Sequence, residues 1–312
     1  MDISVIIPTF QRDVFLKNTL RDLLNQKGDF SFEVIVIDQN NPSVELRDSE
    51  LYALSKEPHI RWIGSIPPGV VYARNKAVSL ARGEILVFID DDVEIKDAEF
   101  LSKHLRTHLE LDHRIAAVCG RELNKGRPNF VDQLGYQREG PLCDILHFPR
   151  NYRKRIEATV LSTSNSSVKK NAMLEVGCFD ENFGGASYGD DADLALRLVK
   201  KGHRIIYDPS PTLLHLMAPA GGVRLSAPNS FSDTDKALCG LLFYLRHIHK
   251  EHKEFRFFYI HQYILKRTLL LKRNLLRPWR LLAVLWGLIR AFFIARTLAT
   301  QEPKCSFRPD GR

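Results

Sequence analysis

The first hundred residues repeat one pattern: a short apolar, β-branched run, a polar or proline stop, then a segment with helical spacing. Ile3–Ile7 is closed by Pro8, and Phe32–Ile37 ends at Asp38. Ile60–Ile63 is a short third run, and Glu84–Ile89 ends in Asp90-Asp91-Asp92. Runs without polar alternation are what strands covered on both faces look like. Between them, Arg12–Gln26 places Val14, Phe15, Leu20, Leu23 and Leu24 near helical spacing. Pro67-Pro68-Gly69 opens a second helix over about Val70–Ala81, with Gly83 as its stop. This alternation predicts an α/β fold with a doubly wound, mostly parallel central sheet and flanking helices. Ligands of such sheets bind at the carboxyl ends of the strands. Thr9, Asp38 and Asp90–Asp92 all fall there and are expected to converge on one edge.

Further along, Asp97–Leu111 reads as a helix and Ile115–Val118 as a strand. Arg121–Tyr152, rich in Gly, Pro and Asn, reads as a long excursion. Val160–Asn165 and Arg204–Tyr207 read as extended, Val168–Val176 and Asp190–Lys201 as helical. From about Thr234 the pattern changes to long helices, which forms a C-terminal helical extension.

Charge narrows the partners. The 312 residues carry a net +8, but Arg246–Arg312 alone holds 15 Lys+Arg against 4 Asp+Glu, a net +11. The remaining body is slightly acidic, at −3. A body that bound a nucleic-acid duplex would carry its own basic face, so no nucleic-acid partner is expected. Five scattered cysteines with no C-x-x-C pair argue against a zinc ribbon or disulfide framework and fit a reducing compartment. MDISVIIPTF enters a strand almost at once, and no signal peptide is expected.

Five groups of residues carry candidate chemistry. Asp90-Asp91-Asp92 clusters carboxylates that repel one another and call for a cation, Mg²⁺ or Mn²⁺ by ligand hardness; a solvated acidic turn is the alternative. Asp38 suits a hydrogen bond to a nucleotide base, or a simple turn. Arg74, one turn into its helix, suits a diphosphate, or is an ordinary helix arginine. In FDENFGGASYGDDADLALRL, glycines precede Asp190 and Asp191 in the first turn of a helix. Capping accounts for one of these acids and leaves the other as a general base. His215, set among leucines, is either a core histidine or a further metal ligand.

Taken in order, VIIPTFQR, VIDQN, GVVYARNKAVSLARGEILVFIDDDVEI, SNSSVKKNAMLEVGCFDENF, GDDADLALRLVKKGHRIIYDP and His215 resemble the inverting family-2 glycosyltransferases of GT-A fold. The resemblance runs from about Ile3 to His215. It implies a nucleotide-sugar-binding half over residues 1–100 and an acceptor-binding, catalytic half over 101–225; residues 226–312 read by their own composition as a basic amphipathic helical tail. Pro8 and Thr9 would line the nucleotide pocket, Asp38 would bind the base, and Arg74 would lie near the base or diphosphate. Asp90 would contact the ribose or base beside Asp91, and Asp92 would coordinate Mn²⁺ or Mg²⁺ with His215. Asn165 would face the donor sugar, and Asp191 would be the catalytic base. Asp190 departs from the family's usual Glu, and Asp38-Gln39-Asn40 from its usual strand-two motif. The Gln-x-x-Arg-Trp motif of processive synthases is missing, which favours transfer of a single sugar.

The resemblance thus implies a nucleoside-diphosphate sugar donor and a carbohydrate or glycolipid acceptor. A pseudo-transferase that only binds, and a sugar nucleotidyltransferase, are the competing readings. The latter would carry a Gly-rich loop after the first strand, where PTFQRD has none. In the tail, Arg273, Arg277 and Arg280 stand at i, i+4 and i+7, and the longest uncharged run, Leu281–Ile289, is short of a bilayer span. An interfacial helix on an anionic, cytoplasmic membrane face is expected, with packing on the catalytic body or a second subunit of a homo-oligomer as the alternative.

Overall fold

The computed structural model describes residues 1–64, 66–110, 112–126, 150–184, 187–222 and 233–307. Most of the excursion expected over Arg121–Tyr152, the loop residue Gly185 and the domain boundary expected at residue 226 lie outside the described residues. Nine strands form one sheet: β1 (Ile3–Thr9), β2 (Phe32–Asp38), β3 (Ile60–Ile63), β4 (Ile85–Ile89), β5 (Val93–Glu94), β6 (Ile115–Asn124), β7 (Ile156–Ala158), β8 (Asn165–Lys169) and β9 (Arg204–His215). Their order is β3-β2-β1-β4-β8-β6-β9-β5, with β7 also paired to β9. β1, β2, β3, β4, β6 and β9 run one way, and β5, β7 and β8 run against them.

β1 shows why the apolar runs become central strands. Its side chains alternate between two faces, and both faces are covered. Ile3, Val5 and Ile7 pack with Leu16, Leu20 and Leu23 of the helix Asp13–Leu24. Ile6, with Ile35 and Ile37 of β2, packs with Val71, Ala73, Ala77 and Val78 of the helix Val70–Leu80. Each aliphatic side chain fully buried this way contributes ~1.5–3 kcal/mol.

Several strands differ from the sequence reading: β6 runs to Asn124 rather than Val118, and β5 and β7 have no counterpart in it. β8 occupies Asn165–Lys169, later than the expected Val160–Asn165, and the helix that follows is only Lys170–Glu175. Ser167 is buried and hydrogen-bonded to His104 and His108 of the helix Phe100–His108. β9 runs through Asp208-Pro209-Ser210-Pro211 to His215, well beyond Tyr207. A register shift against β6, between Gly120 and Arg121, absorbs the prolines. The extension pairs His215 with Val93 of β5, just past the acidic triple.

The C-terminal region packs on the body as a third layer. The helix Asp233–Phe243 covers Phe183, Ala192 and Leu196, and the helix Pro278–Leu298 packs on it in turn. Pro278 starts that helix and holds Arg277 extended, so the short helix Lys272–Leu275 is separate. Arg273 and Arg280 therefore do not share one continuous helix, contrary to their spacing.

Candidate active site

The carboxyl ends of β1 and β4 meet at the acidic triple. Asp91 turns inward: its Oδ2 accepts from Thr9 Oγ1 at 2.8 Å and its Oδ1 from Arg12 Nη1 at 2.9 Å. Burial pushes the Asp91 carboxyl up to about 6, against the pull of Arg12. The same Arg12 nitrogen lies 3.0 Å from Asp92 Oδ1, and Arg12 Nε donates to the carbonyl of Ala220 at 3.1 Å. Arg12 thus pins the chain after β9 to the acidic turn. Asp92 Oδ2 accepts from the Ala218 N–H at 2.7 Å.

His215 closes the cluster. Its Nε2 is 3.1 Å from Asp92 Oδ1 and 3.6 Å from Asp90 Oδ2. Ligand atoms of Asp90, Asp92 and His215 all lie within 4.8 Å of one another. Octahedral ligands at the bond lengths of a small divalent cation stand about 3 Å apart when adjacent, so the spacing fits one ion. Burial opposes a charge on His215, but Asp92, Glu122 and Asp90 outweigh it and push its pKa up to about 10. A proton on the ring therefore offsets the carboxylates that a cation would otherwise neutralise. On the far side, His215 Nδ1 is buried without a well-aligned hydrogen bond, 3.4 Å from Glu122 Oε1. Glu122 accepts from Ser162 and Ser164 and lies 3.3 Å from Arg150 Nη1. Burial opposes its charge, but Arg150, His215 and Ser164 hold its pKa well below the usual carboxylate range. A carboxylate behind a histidine orients that ring toward a metal, and the donor set fits Mn²⁺ or Mg²⁺.

The two acids of the Gly-Asp-Asp segment are not equivalent. Gly189, with φ at +93°, turns the chain into the helix Asp190–Lys200, a conformation that disfavours any side chain there. Asp190 is buried and pairs with Arg74 Nη1 at 2.9 Å. Burial and the neighbouring Asp191 push Asp190 up to about 8. Asp191 is only partly buried, and its nearest described donors, Thr163 N and Oγ1, are 3.4 and 3.5 Å away. Its carboxylate is therefore the accessible one. Arg74 Nη2 is 3.9 Å from Asp90 Oδ1. One guanidinium thus spans the acidic triple and the Asp190–Asp191 pair.

Other expected site residues sit elsewhere. Pro8 is buried within β1, opposite Ile37. Asp38 Oδ1 accepts from Asn40 N and Nδ2, and its Oδ2 from Arg47 Nη2 and Trp62 Nε1. Four donors fill the acceptor capacity of a carboxylate, so a base would have to replace one of them. Asn165 is fully buried; its Oδ1 bonds His104 and its Nδ2 donates to the carbonyls of Arg121 and Pro211. Arg12 and Glu122 were not singled out in the sequence. Arg12 lies inside the motif VIIPTFQR, whereas Glu122 falls where the sequence read as loop.

Residues 4–178 match the family model described as Glycosyl transferase family 2. The chain belongs to that family. Relatives of the chain include a Campylobacter jejuni protein named GalNAc(5)-diNAcBac-PP-undecaprenol beta-1,3-glucosyltransferase. It is 26% identical over 205 residues, covering 64% of this chain and 60% of that one. The chain spans about three fifths of the length of the first curated relatives it matches. Among solved structures, S. aureus TarS with UDP-GlcNAc superposes with a TM-score of 0.64 at 17% identity, over 94% of this chain and 82% of that one. The mannosyltransferase PcManGT of Pyrobaculum calidifontis, with GDP-Man and Mn²⁺, gives 0.54 at 18% identity, over 95% and 77%. These likenesses show the shared GT-A fold, as the motif resemblance implied.

Proposed function

We propose that the chain transfers one sugar from a nucleoside-diphosphate sugar to an acceptor hydroxyl, with inversion at the anomeric carbon. The observation that carries this reading is the pairing of a cation-suited cluster, Asp90, Asp92 and His215, with Asp190–Asp191 across Arg74. A bound Mn²⁺ or Mg²⁺ supplies charge neutralisation for the departing diphosphate. Asp191 takes the acceptor hydroxyl proton as attack occurs. Asp190, tied to Arg74, holds the helix start so that Asp191 points outward. Thr9 and Asp91 brace the acidic turn from behind. Among the described residues, a single accessible base with no positioned nucleophile supports inversion, since a double displacement needs a second carboxylate at the sugar.

The undecaprenol-linked relative supports a glycolipid or surface-polysaccharide precursor as acceptor, and the basic tail supports peripheral contact with the cytoplasmic membrane face. The test is release of nucleoside diphosphate from a panel of nucleotide sugars, with and without chelator. Asp191→Asn is expected to slow release by ~10²–10⁴-fold. Full activity after exhaustive chelation removes the metal from the reading, and normal turnover of Asp191→Asn removes the base. A pseudo-transferase would bind the donor and release nothing.

A further inference from the structure

The helix Pro278–Leu298 divides its residues by size. Gly287, Ala291 and Ala295 are buried against the layer that includes the helix Asp233–Phe243. Leu282, Trp286, Ile289 and Phe293 point the other way; Trp286 is 70% exposed and Leu282 67%. By length and apolar character alone the helix could cross a membrane. Its ends forbid that. Before it, Tyr259, Tyr263 and Ile264 are buried in the third layer, and Tyr259 donates to the Gly240 carbonyl at 3.1 Å. After it, the Leu298 carbonyl accepts from Arg246, the Lys304 N–H donates to Asp180, and Ser306 donates to Glu181. Phe307 stacks edge-on against Tyr72 at 4.9 Å. Both flanks are thus bonded to one folded body, and a spanning helix needs its two ends on opposite sides of a bilayer.

Charge selects the occupant of the exposed face. No acidic residue falls between Glu254 and Glu302, and Lys272, Arg277, Arg280, Arg290 and Arg296 are exposed around the helix. A second copy would bring these cations together, whereas anionic headgroups pair with them. We infer that Pro278–Leu298 lies in the plane of an anionic bilayer, with Leu282, Trp286, Ile289 and Phe293 buried in it and both ends on the protein side. This deepens the membrane contact proposed above and rests on that reading. The helix rests on the layer that covers the base-bearing helix Asp190–Lys200, so docking also fixes how the active site faces the lipid surface.

Trp286 and Trp279 are exposed on the helix, and Trp62 is the third tryptophan, in β3. The full chain is mixed with phosphatidylcholine vesicles, with or without phosphatidylglycerol. Expected are a blue-shifted tryptophan emission and co-sedimentation only with phosphatidylglycerol, reversed by high salt and by alkaline carbonate. Trp286→Ser with Ile289→Ser changes only exposed side chains and should weaken vesicle binding at least about tenfold. Donor turnover with a water-soluble acceptor should stay unchanged. Equal binding to neutral vesicles, carbonate-resistant insertion, or a dimer without vesicle binding would each overturn the inference. Turnover without vesicle binding defeats docking alone. Vesicle binding without turnover defeats the catalytic reading alone.

Discussion

His215 Nε2 stands 3.1 Å from Asp92 Oδ1, although 123 positions separate the two residues. The contact exists because β9 continues past two prolines and pairs His215 with Val93. Behind the ring, Glu122 on the neighbouring β6 faces Nδ1. An outer-shell carboxylate of this kind is worth about 10–100-fold in metal affinity. Glu122→Gln is therefore expected to weaken Mn²⁺ binding by that factor, read from the electron paramagnetic resonance of free Mn²⁺. Asp92→Asn should weaken it more. Unchanged affinity in Glu122→Gln, with an unchanged melting temperature, would remove Glu122 from the site.

Asp190 and Asp191 should separate by experiment. The Asp191 carboxylate accepts only long hydrogen bonds from Thr163 N and Oγ1, at 3.4 and 3.5 Å, so Asp191→Asn should lose turnover and keep most of its stability and its donor affinity. Asp190→Asn removes the carboxyl that Arg74 Nη1 meets at 2.9 Å and leaves Arg74 only Asp90, at 3.9 Å. Asp190 is pushed up to about 8, so near neutral pH the lost contact is a hydrogen bond from a cation to a mostly neutral carboxyl, worth ~1.5–3 kcal/mol. Urea unfolding should show that loss in Asp190→Asn alone, and equal stabilities would refute the division of roles.

Much of this architecture was legible because it rests on simple periodicity. β1, β2 and β4 are unbroken apolar runs, and their stops carry Thr9, Asp38 and the acidic triple. β8 lies later than its expected place because Asn165-Ser166-Ser167 is polar and its partners are remote: His104 and His108, about sixty positions earlier, bond Asn165 and Ser167, and the Arg121 and Pro211 carbonyls accept from Asn165. The end of β9 was hidden by Pro209 and Pro211, which stop most strands but here sit at a register shift. Glu122 lies past Val118, beyond the apolar run of β6 and among polar residues and glycine that read as loop. The resemblance implies a ligand contact for Asn165 and Asp38; in the structure both side chains hydrogen-bond to the protein, which residue type alone does not reveal.

The buried histidines predict how the fold responds to acid. Burial pushes His104 down to about 4 and His108 down to about 3, from 6.5. Both are neutral in the folded chain, while the unfolded chain binds protons near 6.5. Their contribution is fully present above about pH 6.5 and is lost as pH falls toward 4 and then 3. Each histidine should add ~1.4 kcal/mol of lost stability per pH unit in that window. His108→Gln should flatten the slope by that amount in urea titrations between neutral and acid pH. An unaltered slope would mean that His108 accepts a proton without unfolding.

Arg246 joins the tail to the catalytic layer. Its Nη1 lies 2.5 Å from Asp180 Oδ2 and 3.4 Å from Asp193 Oδ1, and its Nη2 donates to the Leu298 carbonyl. Asp193 sits on the helix that Asp190 and Asp191 begin, and it also bonds His247 and Arg197. Both carboxylates are fully buried. Arg246→Ala would leave Asp180 without its cation and should cost about 3–5 kcal/mol. Asp193 keeps Arg197, so the base-bearing helix should hold while the tail loosens. Limited proteolysis is therefore expected to release the tail first, with cleavage before residue 278 appearing ahead of any cut in the sheet. Arg246→Lys should restore part of the stability, because an ammonium can still meet Asp180 but cannot also reach the Leu298 carbonyl in the same fork. If Arg246→Ala loses the tail and the sheet together, the tail is an integral part of the folding unit, and vesicle docking must then be tested only on variants of the outward face.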